Sequence, residues 1–137
     1  MKLGKESLYA IEGLVVLANK RFGATMQLRD IADAAGLPAN FLAKIFQKLN
    51  RANIVTSSRG AVRGYALAHR SNAIKMKDVF LAVDGGDVFD RCIFGTDRCA
   101  DSSPCPLHIQ WKRARRSITA LMQRTTLADL ATGKPHE

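Results

Sequence analysis

Three cysteines and one histidine lie within a short stretch of this sequence and form its clearest candidate for metal chemistry. Six residues separate Cys92 from Cys99, five separate Cys99 from Cys105, and His108 follows after two more. Three thiolates and an imidazole are enough to bind zinc or an iron–sulfur cluster. The spacing matches neither the paired cysteines of zinc ribbons nor the runs found in ferredoxins. It therefore predicts a metal centre without deciding which metal.

Two other interpretations of the cysteines remain open. They could pack as small apolar residues, or they could act as redox-active thiols without a metal. Their neighbours argue against burial, because this stretch also holds Asp87, Asp90, Asp97, Asp101, Ser102 and Ser103. An odd number of cysteines excludes a complete disulfide framework within one chain. We expect a cytoplasmic protein whose cysteines stay reduced or hold a metal.

Helical patterns flank this aperiodic stretch on both sides. Apolar spacing predicts helices over about 6–21, 27–35, 38–52 and 75–83, and two short strands at 54–56 and 65–67. A last helix is predicted from Pro106 to about Ala131. Its apolar positions alternate in steps of four and three, which is typical of a seam for another helix. The members of this seam are Leu107, Trp111, Ala114, Ile118, Leu121 and Thr125.

The second and third predicted helices form a helix-turn-helix. Ala32 and Gly36 have the small-residue spacing that allows close helix approach and then a tight turn. On the second helix of this pair, the buried side is predicted to hold Phe41, Leu42, Ile45, Phe46 and Leu49. The opposite face carries amides and cations suited to bases and phosphates, namely Asn40, Lys44, Gln47, Lys48 and Arg51.

The two strands after the helix-turn-helix complete a winged helix. Arg59 and Arg63 lie at the predicted tip of the wing, where they could reach a minor groove or its phosphates. A polar outer face is also what any solvated helix shows, so the helix alone does not establish DNA binding. The order of the elements and the charge of this region favour it.

The charge is unevenly distributed. The chain of 137 residues has 21 basic and 12 acidic residues and a net charge of +9. Residues 38–70 hold six basic residues and no acidic one. A solvated surface normally mixes both signs, so this segment is a candidate phosphate-binding face. The basic run of residues 112–116 is more typical of the solvated side of a long helix.

These patterns predict one mainly α-helical fold with a small β-wing, in which a winged helix-turn-helix precedes a long C-terminal dimerisation helix. Residues 1–84 are the expected DNA-binding domain, with the helix-turn-helix at about 27–52 and the wing at about 54–67. Residues 85–105 are the expected cluster-binding loop, 106–131 the dimerisation helix and 132–137 a flexible tail. No segment reaches the length of a membrane span, and no common catalytic motif is present, so neither a membrane protein nor an enzyme is expected.

The sequence resembles the IscR/NsrR-like group of winged-helix iron–sulfur regulators. The resemblance covers nearly the whole chain and includes Leu28 to Ala32, Phe41-Leu42, Arg59-Gly60, the three cysteines with Cys105-Pro106-Leu107-His108, and Thr126 to Leu130. It implies a homodimer that binds a palindromic operator in double-stranded DNA. The final helices would cross at the dimer interface, with Trp111, Ile118 and Leu121 in contact.

The same resemblance implies an iron–sulfur cluster bound by Cys92, Cys99 and Cys105. His108 stands where the IscR-like branch, with 2Fe–2S, has its fourth ligand. The NsrR-like branch holds 4Fe–4S and uses an acidic side chain near the N-terminus, where this chain has Leu8. The 2Fe–2S form is therefore favoured and 4Fe–4S stays possible. The chain departs from the family pattern in two places. Six residues separate Cys92 from Cys99 where the family has five, and the wing reads Ala61-Val62-Arg63 where the family often has glycines.

Together these patterns predict a transcription regulator, with repression favoured, whose operator affinity depends on a cluster that senses cluster status, redox state or nitric oxide. Two alternatives are kept. The cysteines could act through thiol oxidation or zinc in the same DNA-binding protein, or the chain could be a basic adaptor whose last helix binds another protein.

Overall fold

The computed structural model describes residues 4–59, 64–91 and 106–133. Its helices are α1 (Lys5–Ala18), α2 (Leu28–Ala35), α3 (Ala39–Arg51), α4 (Met76–Asp84), α5 (His108–Arg124) and α6 (Leu127–Thr132), with a 3₁₀ turn at Ser71–Ala73. Strands β1 (Val55–Ser58) and β2 (Gly64–Leu67) form an antiparallel pair between α3 and the 3₁₀ turn. The predicted fold, mainly helical with a two-stranded wing, is confirmed.

Helices α2 and α3 form the helix-turn-helix. Gly36 ends α2 in the left-handed conformation, with φ 69°, which a glycine adopts without steric cost. The amide of Leu37 then donates to the carbonyl of Ala32 at 2.9 Å and closes the turn. Pro38 precedes the first residue of α3, so its missing N–H costs no hydrogen bond within the helix.

The buried side of α3 is narrower than the sequence predicts. Leu42, Ile45, Phe46 and Leu49 are buried as expected, but Phe41 is 58% exposed. The prediction that Phe41 belongs to the core is wrong. The buried residues repeat at intervals of three and four, whereas Phe41 lies about 100° around the helix from Leu42, at the edge of that stripe.

The wing is joined to the segment before α2. In its register Val55 pairs with Leu67 and Ser58 with Gly64. Met26 extends the wing, because it exchanges two backbone hydrogen bonds of 3.0 and 2.8 Å with Tyr65. A side chain at Gly64 would lie 2.5 Å from the Met26 carbonyl oxygen, so this close approach requires glycine. The Tyr65 ring meets the edge of Phe46 with centroids 5.2 Å apart, which fixes the wing on α3.

A single hydrophobic core lies beneath α1, α3 and α4. Its members are Ala10, Leu14, Leu17, Ile31, Leu42, Ile45, Phe46, Leu49, Met76, Val79, Phe80, Val88 and Leu127, among others. Helix α1 approaches α3 closely at Gly13, where an added Cβ would lie 2.8 Å from the Phe46 ring. The apolar run in α1 is therefore explained by burial in this core.

The predicted single helix over 106–131 is wrong. Helix α5 ends at Arg124, and Thr125 has an extended backbone, with ψ 127°. Thr126 then begins α6 with a capping box. The Thr126 hydroxyl accepts from the Asp129 amide, and the Asp129 carboxylate accepts from the Thr126 amide. The backbone of Leu127 donates to Ile74, and its side chain is fully buried. Residues 127–132 thus belong to the core of the winged-helix part rather than to the long helix.

Helix α5 packs against α4 but has no fully buried residue of its own. On the predicted seam, Trp111 and Ile118 are half-buried, while Leu107 and Leu121 are 40% and 43% exposed. Within the described ranges, no helix is long and apolar enough to cross a membrane.

Candidate nucleic-acid interface and metal-binding segment

Four of the predicted DNA-contacting side chains lie together on the outer face of α3. Asn40, Lys44, Gln47 and Arg51 follow each other at intervals of four, three and four residues, and all are exposed. Neither Lys44 nor Arg51 forms an ion pair with a carboxylate of the described residues. The face therefore offers two amides and two unneutralised cations, which is the chemistry needed to contact base edges and phosphates.

Lys48 lies at the side of this face and has other partners. Its Nζ atom donates to Glu6 Oε2 at 3.1 Å and to the backbone carbonyl of Val83 at 3.2 Å. These contacts join α3 to the start of α1 and the end of α4. The structure therefore gives Lys48 a role in positioning α3, which spacing along one helix did not indicate.

The wing carries one more predicted residue among those that the structure describes. Arg59 is exposed directly after β1, whereas Arg63 lies outside the described residues. A shallow groove of about 470 Å³ runs between the wing and the start of α2, and its lining includes Gln27, Arg29 and Ser57. Arg29 was not among the predicted contacts. Its signal in the sequence is a basic residue in the first turn of the first helix of the pair, where a DNA phosphate can also be reached.

Phe41 is a second residue that the sequence analysis did not assign to the interface. It is exposed in the first turn of α3, near Lys44 on the next turn. The first turns of a recognition helix contact base edges, and an aromatic side chain can contact the methyl group of thymine. Its hydrophobicity led us to expect it in the core, so only the exposure seen in the fold reveals it.

The predicted metal ligands are divided between described and undescribed parts of the chain. Cys92, Cys99 and Cys105 lie outside the described residues. His108 is the first residue of α5 and is half-buried. Three thiols and an imidazole are a donor set that suits an iron–sulfur cluster or zinc. The chemistry of the side chains therefore fits such a group, with His108 supplied from the helix start.

The residues before Cys92 are held firmly against the core. Val88 and Phe89 are buried, and the Phe89 ring meets the edge of Phe80 with centroids 6.3 Å apart. Arg91 Nη2 donates to Asp87 Oδ1 at 2.9 Å, and this hydrogen bond raises the pKa of the Arg91 guanidinium. The cysteine segment is thus preceded by a turn that is packed on α4, and it is followed by α5.

The end of α4 connects this turn with the DNA-binding helices. Asp84 Oδ2 accepts a hydrogen bond of 2.7 Å from Ser7 Oγ and one of 3.2 Å from the Gly4 amide. One residue earlier, the Val83 carbonyl accepts from Lys48. We call Ser7, Lys48, Val83 and Asp84 the α4 junction. It ties α1 and α3 to the helix on which α5 and the turn before Cys92 are packed.

Comparison with known proteins agrees with this architecture. The model of the Rrf2 family, described as iron-dependent transcriptional regulators, matches residues 3–133. The chain belongs to the Rrf2 family. It is therefore a transcription regulator and not an enzyme, and regulators of this family bind DNA.

Relatives within the Rrf2 family align over almost the whole chain. The putative HTH-type transcriptional regulator Rv1287 of Mycobacterium tuberculosis is 32% identical over 97% of this chain and 83% of its own length. The HTH-type transcriptional regulator IscR of Yersinia pestis is 28% identical over 98% of this chain and 81% of its own length. The structure of CymR, the global cysteine regulator of B. subtilis, has a TM-score of 0.81 and 24% identity, with 98% of this chain and 99% of that one covered. This last likeness shows the winged-helix fold.

Proposed function

We propose that this Rrf2 protein is a homodimeric repressor whose operator affinity is controlled by an iron–sulfur cluster. In this proposal residues 1–84 bind DNA, residues 85–105 with His108 hold the cluster, and α5 forms the dimer. The observation that carries the proposal is the α4 junction, because it joins α4, on which the turn before Cys92 packs, directly to the recognition helix α3. A change in the position of α4 would therefore move the hydrogen-bond acceptors of Lys48 and Ser7.

For DNA, the proposed contacts are the exposed face of α3 and the wing. Asn40, Lys44, Gln47 and Arg51 would enter the major groove, and Arg59 and Arg63 would reach the neighbouring minor groove or its phosphates. Support comes from the exposure of the described members and from the absence of ion pairs on Lys44, Arg51 and Arg59 within the described part of the chain. Arg29 and Phe41 are added to this set on the evidence of their positions.

For the dimer, the proposed contact is the seam of α5, with Trp111, Ile118 and Leu121 facing a second copy. The half-burial of Trp111 and Ile118 and the exposure of Leu121 support it, since an amphipathic helix left with an apolar stripe gains free energy when a partner covers it. A twofold dimer matches a palindromic operator, with half-sites about one helical turn apart. A small change in α5 would alter that spacing.

For the metal centre, the proposed ligands are Cys92, Cys99, Cys105 and His108. A cluster supplies redox chemistry and reactivity toward oxygen or nitric oxide when it is bound. The IscR relatives support this assignment, and 2Fe–2S is favoured because His108 begins α5 and Leu8 cannot coordinate iron. The role of this chain is then to hold the imidazole at the start of α5 and the turn at Arg91 on α4.

The proposal is tested by iron and acid-labile sulfide analysis of protein purified without oxygen, together with binding to an operator selected from random DNA. We expect equal iron and sulfide near two per chain, loss of both in Cys92→Ser, and a change of at least tenfold in operator affinity when the cluster is removed. Iron and sulfide each near four per chain would replace 2Fe–2S by 4Fe–4S. His69→Ala, which changes a histidine outside the proposed ligand set, serves as the matched control for His108→Ala.

The competing functions give other results in the same experiment. Stoichiometric zinc without sulfide would replace the cluster by a zinc site. Protein without metal whose operator affinity follows thiol oxidation would assign the cysteines to redox sensing. A protein with no sequence preference on DNA that loses a protein partner on Ile118 substitution would be the basic adaptor.

A further inference from the structure

A cleft between α4 and α5 has the features of a small-molecule site. It lies between α4, the turn at residues 86–90 and α5, and its volume is about 630 Å³. Pockets of this size are typical of sites for small organic ligands. Among the described residues, those that line the cleft are not the ones proposed to bind DNA, metal or a second copy.

The charges in the cleft are mostly positive. Lys77 from α4 and Arg115 and Arg116 from α5 line it, and Asp90 is the acidic residue among the lining side chains that the structure describes. Gln123 adds an amide that can donate or accept. Within the described residues, three cations and one carboxylate leave an excess of two positive charges around this concave space. Such a concentration favours an anionic ligand, because the walls of a cleft focus the field of the charges.

Arg115 gives the second, independent observation. Its Nη1 atom is buried and has no hydrogen-bond partner within the part of the chain that the structure describes. A buried donor left unpaired is unfavourable, and the cost is larger for a charged group. The Thr119 hydroxyl donates to the Arg115 backbone carbonyl at 2.8 Å and does not accept a hydrogen bond from Nη1. Arg115 also lines the cleft, so its guanidinium group is placed to pair with an acidic group there.

The floor of the cleft is apolar. Leu81 of α4 and the Phe89 ring form part of its lining, and Phe89 is held in place by Phe80. The ligand is therefore expected to carry a short hydrocarbon portion between its acidic groups. Inorganic ions alone would leave this floor uncovered.

The cleft and the proposed dimer seam lie on neighbouring faces of α5, which meet where Trp111 and Arg115 are about 40° apart around the helix. Arg115, Thr119 and Gln123 follow each other at intervals of four residues along the cleft. The seam residues Ile118 and Leu121 belong to a different stripe, and Leu121 lies roughly 160° around the helix from Gln123. The Gln123 end of the cleft therefore faces away from a dimer formed through the seam.

We propose that this cleft binds a small organic anion with at least two acidic groups, carboxylates or phosphates, and a short apolar body. Arg115 pairs with one acidic group, Lys77 and Arg116 with the other, and Leu81 and Phe89 contact the hydrocarbon portion. The ligand thereby bridges α4 and α5. This binding depends neither on a cluster nor on an operator.

The test follows ¹H–¹⁵N amide signals of the full chain at about 0.15 M salt, where weak attraction to exposed charges is largely screened. Citrate probes the carboxylate class, 3-phosphoglycerate probes the phosphate class, and trimethyl citrate is the uncharged control. We expect citrate or 3-phosphoglycerate to shift Leu81, Phe89 and Gln123, and the more strongly bound of the two identifies the class. Trimethyl citrate should cause no shift.

Variants separate this site from general attraction to a basic protein. Arg115→Gln and, independently, Lys77→Gln should weaken binding about tenfold or more, because each removes a charge-assisted contact. Arg113→Gln removes the same charge from an exposed position of α5 outside the cleft and should change binding less than twofold. The proposal would be overturned by amide shifts on α3 as large as those at the cleft, or by no shift with either anion. It would also be overturned if Arg113→Gln weakened binding as much as Arg115→Gln.

Discussion

The Nζ atom of Lys48 on the recognition helix lies 3.2 Å from the carbonyl oxygen of Val83, in the last turn of α4. A cation at this end of a helix is favourable, because the last carbonyls lack partners within the helix and carry partial negative charge. The same ammonium group is 3.1 Å from Glu6 on α1. One side chain therefore joins three helices at the point where the DNA-binding part meets α4.

Replacing Lys48 by Met should disturb the position of α3 more than the charge contacts with DNA. We expect the free energy of unfolding to fall by about 0.5–1.5 kcal/mol, since a partly exposed ion pair and one hydrogen bond to a carbonyl are lost. Operator affinity should decrease with an unchanged dependence on salt concentration. A salt dependence that is weaker by about one counterion would instead make Lys48 a phosphate contact.

Replacing Lys44 by Met should give the opposite pattern. Lys44 is exposed on the proposed DNA face, so we expect unchanged thermal stability and a slope of log affinity against log salt that is smaller by about one. Fluorescence anisotropy with labelled operator at several salt concentrations measures both variants. Lys20→Met, an exposed lysine after α1, is the matched control and should leave the slope unchanged.

Replacing Asp84 by Ala should loosen the start of α1. The carboxylate accepts hydrogen bonds from Ser7 Oγ and the Gly4 amide, and Ser7 is fully buried. Leaving that hydroxyl unpaired should cost about 1–3 kcal/mol of unfolding free energy in denaturant titrations. Asp78→Ala, on the exposed side of the same helix, should change stability by less than about 0.5 kcal/mol. Equal losses in both variants would contradict the junction.

Replacing Gly13 by Ala should destabilise the fold through overpacking. The new Cβ would lie 2.8 Å from the Phe46 ring, which is fully buried and also contacts Tyr65 of the wing. We expect a loss of about 1–3 kcal/mol, partly recovered in the double variant with Phe46→Leu, which makes room for the methyl group. A more stable protein, as expected from the higher helix propensity of alanine, would show that Phe46 moves without cost.

Replacing Leu121 by Glu should dissociate the proposed dimer. The charge would enter an apolar seam, where it cannot be solvated. Sedimentation velocity measures the change in mass, and the single tryptophan, Trp111, reports it independently through a shift of its emission to longer wavelength. Ile109→Glu alters the most exposed large apolar residue of α5, which is off the seam, and should leave the dimer intact. A wild-type monomer would refute the seam.

Much of the fold could be predicted because its local signals agree with one another. The apolar periods of α2 and α3, the glycine between them and the two short strands predict a winged helix, and each feature acts over a few residues. The exposed positions of Asn40, Lys44, Gln47 and Arg51 follow from the same helical period. The end of the last helix could not be predicted in this way. The apolar pattern continues through Thr125. The break there is favoured by the Thr126–Asp129 capping box together with the packing of Leu127 under the 3₁₀ turn and α1, and the capping residues alone do not outweigh the apolar pattern.

The sequence by itself determined the helix-turn-helix, the wing, the charged face and the clustering of cysteines, since these depend on residue type and spacing along the chain. Only the tertiary structure decided which of these residues act together. In the folded protein Phe41 is exposed, and Lys48 contacts Glu6 and Val83. Lys77 of α4 and Arg115 of α5 line the same cleft. The physical reason is that these outcomes depend on contacts between helices distant in the chain, and the period of one helix carries no information about which neighbour will cover its edge.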